Sequence, residues 1–443
     1  MSCLDERVSR KTIKGLLFSR ALRLLKKIQK SVEDRMRCVY RRGGFLCASL
    51  MIGLVPKSNA EGFSDSSHAN VQFRNYYFND DYHEGANDRR EWAQGVLLNI
   101  KSGFTPGAVG FALEGQGLAA LRLDSSPAHT NTGLLPVNSD GHAVSEFSSV
   151  GLTGKARYRD ALFSQGTSEL KIPVLVTNDG RILPQTVTGS QIEYRGIEGL
   201  YVQAGHLDQE KLRNSSNNEG FTPVGYGGAK DADFDFAGGR YSLGKQLSLS
   251  YYYGTMEDFY SQTFLGLNHK LNVGSLSLTS DLRYFSSDKS GSAWAGNVDA
   301  TMFSGLWTLG YGNHAVGLGY QKVTGETSLP YINGGSVYSF TNANVGKFVQ
   351  ANEHTAMLRY DYDFVGLGFP GLSFMSRYYT AGGGEYKKRA ASEWERDSTL
   401  RYVVQSGAFK GLGLEYRGAT FRTDYSANHD DNRLYLTYDL ALW

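Results

Sequence analysis

Apolar and polar residues alternate along most of the chain, from about residue 70 to the end. Leu358, Tyr360, Tyr362 and Phe364 occupy every second position of one such run, and charged residues fill the positions between them. A period of two residues places the two sets on opposite faces of a β-strand. One face is apolar and the other is often charged, which is typical of a barrel with lipid outside and water inside.

The alternation predicts an all-β fold, a transmembrane antiparallel β-barrel of about eighteen strands. The spans are 70–78, 92–101, 108–121, 148–158, 168–177, 187–194, 200–209, 233–242, 247–256, 261–270, 275–285, 297–309, 315–322, 355–364, 372–380, 398–405, 412–422 and 432–442. Tight links such as Gly244-Lys245 and Gly312-Asn313 alternate with long polar connections at 79–91, 122–147, 210–232, 286–296, 323–354 and 381–397. This rhythm predicts short periplasmic turns, long extracellular loops and, with an even strand count, two periplasmic termini.

Composition supports a barrel over a helical membrane protein. The 443 residues include 53 Gly, 28 Tyr and 23 Phe but only 9 Pro, and apolar residues make up 41%. No stretch approaches eighteen uninterrupted apolar residues, so the sequence offers no transmembrane helix. A closed barrel is the other structure that satisfies its backbone hydrogen bonds inside a bilayer.

The amino-terminal segment predicts export across the inner membrane. A basic stretch with Arg37 and Arg41 precedes an apolar core at 45–55, and small residues follow at Ser58-Asn59-Ala60. This is the order of a signal peptide, which we assign to 36–60, with 61–443 as the mature barrel. We interpret residues 1–35 as the product of an upstream mis-start. The alternative is that this prefix forms an amphipathic helix.

Removal of residues 1–60 changes the chemistry that the sequence permits. All three cysteines lie there, so the mature chain has no disulfide and no cysteine metal site. The segment also holds 14 Lys/Arg and 4 Asp/Glu, which leaves 32 basic and 40 acidic residues in 61–443. An acidic mature chain argues against nucleic acid as a partner. No cofactor is predicted.

A series of short motifs runs in order through 61–443. They are Asp65-Ser66-Ser67, Arg74-Asn75-Tyr76-Tyr77-Phe78-Asn79, Trp92-Ala93-Gln94-Gly95, Ser102-Gly103-Phe104-Thr105, Thr132-Gly133-Leu134-Leu135-Pro136, Leu183-Pro184-Gln185-Thr186, Ala204-Gly205-His206, Gly238-Gly239-Arg240-Tyr241, Tyr320-Gln321-Lys322-Val323 and Tyr402-Val403-Val404-Gln405-Ser406-Gly407. Their unbroken order resembles the OprD-type outer-membrane porins. The resemblance implies an eighteen-stranded channel for passive uptake of amino acids or aromatic and other carboxylates. It also implies two inward loops, near 178–190 and within 323–354.

Basic residues on the polar face of the strands are the candidates for the substrate path. A guanidinium matches a carboxylate and stays charged, and several shallow sites let an anion both enter and leave. The resemblance likewise implies a row of basic residues on the wall. The candidates are Arg74, Lys155, Arg157, Arg359, Arg377, Arg401 and Arg417. The alternative for each is a solvated residue of the lumen, or a residue near a strand end beside lipid headgroups.

Three acidic residues complicate this row. Glu415 lies two residues before Arg417 on the same face, at a position where the family pattern has a further arginine. It would interrupt an anion path or bind an ammonium group. Glu257 and Asp258 resemble an acidic family segment near the pore, and a solvated loop turn is equally compatible with them. The sequence does not separate amino acids from aromatic or aliphatic acids, nor a selective pore from a general one.

Three other functions remain as alternatives. A barrel hydrolase or peptidase would need a nucleophile beside His206, and no Gly-x-Ser-x-Gly elbow is present. An energy-coupled transporter would need a plug, for which the predicted mature chain leaves no room before its first strand. A structural barrel would need a neutral or charge-paired lumen.

The predicted partners follow from the outer-membrane location. They are small anionic or zwitterionic solutes, outer-membrane lipid and lipopolysaccharide, and the barrel-assembly machinery. Calcium at Asp80-Asp81 or Asp430-Asp431 is conceivable, but the spacing is not a metal motif. We therefore predict no metal site.

Overall fold

The computed structural model describes residues 61–84 and 86–443, so the interpretations of 1–35 and of 36–60 lie outside the described residues. No helix in this part of the chain is long and apolar enough to cross a membrane. The elements are α1 (Glu61–Asp65), β1 (His68–Tyr82), β2 (Arg89–Lys101), β3 (Val109–Asp124), β4 (Glu146–Tyr158), β5 (Ala161–Ser168), β6 (Lys171–Ile172), β7 (Leu175–Val176), β8 (Thr186–Ile197), β9 (Leu200–Lys211), β10 (Phe234–Leu243), β11 (Leu247–Met256), β12 (Tyr260–Val273), β13 (Leu276–Lys289), β14 (Asp299–Tyr311), β15 (His314–Thr324), β16 (His354–Asp363), β17 (Leu372–Tyr386), β18 (Arg389–Val403), β19 (Gly413–Thr423) and β20 (His429–Ala441), with 3-10 turns at Pro127–His129 and Phe364–Leu367.

Eighteen of these strands form one antiparallel sheet that closes on itself. Strand β1 pairs with β2 on one side and with β20 on the other, so the first and last strands join. Every other barrel strand pairs with its neighbours in chain order, and β6 and β7 form a separate small hairpin. The predicted antiparallel barrel of eighteen strands is confirmed.

The two faces of the strands differ as the alternation predicts. On β4, Val150 and Leu152 point outward and are 80% and 71% exposed, whereas Thr153 points inward and is 6% exposed. An outward row of large apolar side chains suits contact with lipid, because hydrocarbon replaces the water that such side chains would otherwise meet.

Three apolar cores lie inside the barrel, where long connections fold against the wall. The first joins the β6–β7 hairpin, through Ile172 and Leu175, to Phe264 and Phe285 of the wall and to Leu329 of the connection 325–353. The second contains Tyr76, Phe78, Leu134, Leu135, Ile182 and Tyr435, and the third contains Phe340, Ala343, Phe348, Met357 and Tyr379. The interior is therefore partly filled, and the open path is narrower than the barrel.

The long connections leave the barrel at one end, here called the long-loop end. They are 125–145, 169–185, 212–233 and 325–353. The opposite end has tight turns at 159–160, 198–199, 244–246, 274–275 and 312–313. Because the strand number is even, β1 begins and β20 ends at this second end. The location of both termini on the periplasmic side stays a prediction.

The predicted fifth strand, 168–177, is wrong. The chain turns at Arg159, with a left-handed φ of 51°, and β5 occupies Ala161–Ser168 instead. Residues 169–185 then fold into the lumen. Leu170, Ile172 and Val174 alternate as in a strand, but they pack on the first core inside the barrel rather than on lipid.

The predicted long loop 381–397 is also wrong. Strand β17 continues to Tyr386 and β18 begins at Arg389, so two residues join them. Lys387 and Lys388 both adopt left-handed φ values, 50° and 64°, without the Asn-Gly pair that favours such a turn. The glycines at 382–384 accompany a register shift within the β17–β18 hairpin.

Candidate functional site

A cavity of about 550 Å³ lies among the inward loops and the wall. Its lining is strongly basic, with only two carboxylates, Asp80 and Asp431. The basic residues are Arg89, Arg181, Arg213, Lys347, Arg377, Arg417 and Arg433. A cavity with this excess of cations attracts anions.

The wall contributes a row of arginines on six adjacent strands, from β16 through β20 to β1. Arg359 of β16 lies directly opposite Arg377 of β17, and Arg417 of β19 lies opposite Arg433 of β20. The full row is Arg359, Arg377, Arg401, Arg417, Arg433 and Arg74. The structure thus brings five of the seven predicted basic residues to one side of the lumen and adds Arg433, which the sequence reasoning missed.

Carboxylates compensate most of this row. Nη2 of Arg377 donates to Asp397 at 2.7 Å, and Nε of Arg359 donates to Asp361 at 2.6 Å. Arg433 is paired with Asp431, two residues earlier on the same face of β20. The row is therefore a series of ion pairs rather than a line of free cations.

Arg74 is paired with a loop instead of a wall residue. Its Nη1 donates to Asp179 at 2.6 Å, and Asp179 belongs to the inward connection 169–185. Arg74 is nearly buried by this contact. It therefore holds the loop and presents little charge to the lumen.

Glu415 lies between two arginines of the row. It accepts a hydrogen bond from Nε of Arg417 at 2.5 Å, and Nε of Arg401 lies 3.8 Å from its other oxygen. Its side chain is only 16% exposed. The carboxylate therefore offsets the charge of these two arginines.

The remaining two candidates lie on β4, beyond β2 and β3 from the row. Lys155 donates to Glu114 at 2.7 Å, and the guanidinium of Arg157 lies 4.2 Å from the centre of the Phe104 ring. Neither lines the basic cavity.

Three cations on the inward loops form no salt bridge with a carboxylate of the described residues: Arg181, Arg213 and Lys347. Nε of Arg181 donates to the carbonyl of Thr132 at 2.9 Å, and Nζ of Lys347 donates to that of Ala343 at 3.3 Å. Each comes from a different connection, 169–185, 212–233 or 325–353. Their positive charge is therefore available to a solute in the cavity.

Their surroundings disfavour this charge. Burial, and after it the neighbouring cations Arg433 and Arg213, lowers the pKa of Arg181. Burial also lowers the pKa of Lys347 to about 8, although Glu395 opposes the change. A guanidinium remains charged even when burial makes its charge unfavourable. An anion between these groups would therefore reduce the free-energy cost of the buried charge.

The predicted acidic pore elements lie elsewhere. Glu257 and Asp258 line a separate cavity at the long-loop end, which shares no residue with the basic cavity. One oxygen of Asp258 accepts the backbone N–H of Ser292 at 2.6 Å. The structure therefore assigns Asp258 a contact with a neighbouring loop.

His206 points away from the lumen. It contacts Asp235 at 2.8 Å, on the strand face opposite to Leu207 and Phe234, which are buried inside.

Asp430, considered above for calcium, contacts Arg422 and His83, each at 3.0 Å. No group of three or more His, Cys, Asp or Glu that could hold a metal ion occurs within 61–84 and 86–443.

Strand parity does not identify the loop cations, because they lie outside the barrel strands. Arg181 and Lys347 lie within the two segments, 178–190 and 323–354, that the family resemblance implied to fold inward. Listing the cations of those segments would have found both. Arg213 lies in a connection with no such signal.

Comparison with known proteins gives consistent matches over the barrel. The family model described as outer membrane porin, OprD family, matches residues 61–442. The porin-like protein GalP of Pseudomonas putida is 34% identical over 400 residues, which cover 89% of this chain and 97% of that protein. The crystal structures of OccK9 (OpdG) and of OpdK with vanillate, both from Pseudomonas aeruginosa, are each 36% identical, with TM-scores of 0.85 and 0.83. Each match covers 86% of this chain and 100% of the other.

Replacement of Glu415 tests its effect on the row. We expect Glu415→Gln to increase anion preference, because Arg401 and Arg417 lose the carboxylate that offsets them. The measurement is the reversal potential in planar bilayers under a KCl gradient. Asp439→Asn is the control, since it removes one lumen carboxylate whose hydrogen-bond partner is Gln72. Equal reversal potentials for the two variants would contradict this role.

Proposed function

The chain belongs to the OprD family of outer-membrane porins, and we propose that it admits small carboxylates by holding them between cations of its inward loops. In this proposal the loop cations Arg181, Arg213 and Lys347 bind the carboxylate at the narrow part. The wall residues Lys155, Arg157, Arg359, Arg377, Arg401 and Arg417 add a weak attraction along the path, and Arg74 holds the inward connection 169–185 in place. The protein is an outer-membrane channel and not an enzyme.

The observation that carries the proposal is that the three loop cations form no salt bridge with a carboxylate of the described residues. Of the wall arginines that line the cavity, Arg377, Arg417 and Arg433 have acidic partners in place, so their net attraction for a solute is small. Arg89 donates to the carbonyl of Asn131 at 3.4 Å and adds to the positive charge of the cavity. Loop cations surrounded by protein keep a larger electrostatic effect, because little water screens them. A substrate carboxylate would complete their hydrogen bonds.

A related structure supports the chemical class. OpdK of Pseudomonas aeruginosa was crystallised with vanillate, which bears a carboxylate. That channel shares 36% of its residues with this chain over its whole length. We infer the carboxylate from this relation and from the charge of the cavity, while the rest of the substrate stays open.

An amino-acid substrate finds less support. It would need an acidic group free to bind its ammonium, and Glu415 was the candidate in the row. Because Glu415 contacts Arg401 and Arg417, its charge is already compensated. The proposal therefore favours simple carboxylates over zwitterions.

Removal of a loop cation should weaken carboxylate block. We expect Arg181→Gln or Arg213→Gln to raise the benzoate concentration needed for half-maximal block of the ion current by about ten-fold, because a hydrogen bond to a charged group is lost. Single-channel recording in planar bilayers measures this.

The control for that experiment removes a compensated pair. Arg283 and Asp281 face the lumen 2.5 Å apart, outside the basic cavity. The double variant Arg283→Gln/Asp281→Asn leaves the net charge unchanged, and block should stay as in the wild type. Unchanged block in both loop variants would refute the proposal.

Anion preference should fall as pH rises from 7 to 9. Burial lowers the pKa of Lys347 to about 8, so its ammonium is cationic below that pH and neutral above it. The arginines stay charged over this range. Reversal potentials measured at several pH values test this, and Lys347→Met should remove the dependence. A wild-type preference that is constant across the range would contradict the role of Lys347.

A further inference from the structure

Strand β18 presents a row of buried carboxylates to the lumen. Glu393, Glu395 and Asp397 occupy alternate positions, and Glu395 and Asp397 are each 0% exposed. A buried carboxylate is costly unless it is paired or accepts several hydrogen bonds. The partners of this row therefore indicate its role.

Glu395 and Asp397 accept consecutive backbone N–H groups of the connection 325–353, and Asp397 is also paired with Arg377 of β17. The N–H of Val345 donates to Oε1 of Glu395 at 3.0 Å, and the N–H of Gly346 donates to Oε2 at 2.6 Å. The N–H of Asn344 donates to Asp397 at 3.3 Å. Three adjacent donors thus converge on two neighbouring carboxylates of the wall.

The same loop tip has further attachments to the wall, including a hydrogen bond of 2.6 Å from Nε2 of Gln321 on β15 to the carbonyl of Phe348. Nη2 of Arg433 donates to the carbonyl of Asn344 at 3.0 Å, and the ring of Phe348 stacks on Tyr379 with 5.1 Å between centroids. Lys347 lies between Gly346 and Phe348, so its position in the basic cavity depends on how this tip is held.

We propose that Glu395 and Asp397 form a latch that docks residues 343–348 on the wall. The latch sets the width of the open path and keeps Lys347 inside it. Both residues are positioning residues, since they contact the loop and do not line the basic cavity. The latch acts on any permeating ion, so it does not depend on which solute the channel selects.

Glu395→Gln separates the latch from simple packing. Glutamine has the shape of glutamate, but it offers one acceptor oxygen and sets an amide N–H₂ against the other backbone N–H. Loss of one hydrogen bond, with a buried backbone N–H left without an acceptor, should raise the occupancy of the released state about ten-fold. In single-channel recordings in KCl, we expect a more frequent high-conductance state. We also expect a weaker anion preference as Lys347 leaves the path.

Gly346→Ala tests the contact from the loop side, outside the barrel strands. A Cβ at this position would lie 3.0 Å from Oε2 of Glu395 and 2.8 Å from the Phe348 ring, so the tip must move away. This variant should show the same high-conductance state. Because the substitution lies in a loop, this variant still tests the latch if Glu395→Gln does not assemble into a barrel.

Two controls match these variants. Asp439→Asn removes a lumen carboxylate that does not contact the loop. Gly227→Ala adds a Cβ in a different connection, where no atom lies within 4 Å. Both should conduct as the wild type. Retention of the barrel is checked by the heat-dependent shift in gel mobility.

Conductance and selectivity equal to the wild type in folded Gly346→Ala, or in folded Glu395→Gln, would overturn the latch. A high-conductance state in the variants but not in the controls would support it. Because every readout uses KCl alone, failure of carboxylate block would leave this result unaffected, and the two proposals fail separately.

Discussion

Loops that fold into the lumen of a barrel carry backbone N–H and C=O groups that need hydrogen-bond partners there. This requirement determines how the loops and the wall are arranged. Acidic side chains of the wall supply many of these partners. Glu91 accepts the N–H of Thr132 at 3.1 Å, and Glu395 accepts those of Val345 and Gly346. Each wall carboxylate that binds a loop also loses contact with solvent, because the loop covers it. The loops and the acidic residues of the wall therefore stabilise each other.

This arrangement determines where free positive charge remains. Arg359, Arg417 and Arg433 of the wall row have acidic partners on the same face, two residues away along the strand. Within 61–84 and 86–443, the loop cations Arg181, Arg213 and Lys347 form no salt bridge with a carboxylate. In the proposed function, the loop cations concentrate the attraction in the basic cavity, while the wall adds weak attraction along the path. Several weak sites and one stronger one permit both entry and release.

The sequence predicted the barrel because lipid outside and water inside impose a period of two residues. The same rule failed at Leu170, Ile172 and Val174, since an inward hairpin that packs on the wall alternates in the same way. The alternation put Arg359 and Arg417 on the lumen face, where the structure has them. It put Asp361 and Glu415 on the same face two residues away, so these two ion pairs could be predicted from the sequence. The convergence of Arg181, Arg213 and Lys347 could not, because it depends on the paths of three separate loops.

A crystal structure with 4-bromobenzoate would test the central claim most directly, since anomalous scattering from bromine locates the ligand without ambiguity. The account predicts a carboxylate within hydrogen-bonding distance of Arg181 or Arg213 in the basic cavity. Ligand bound only along the wall at Arg359 or Arg401, with none beside the loop cations, would contradict it.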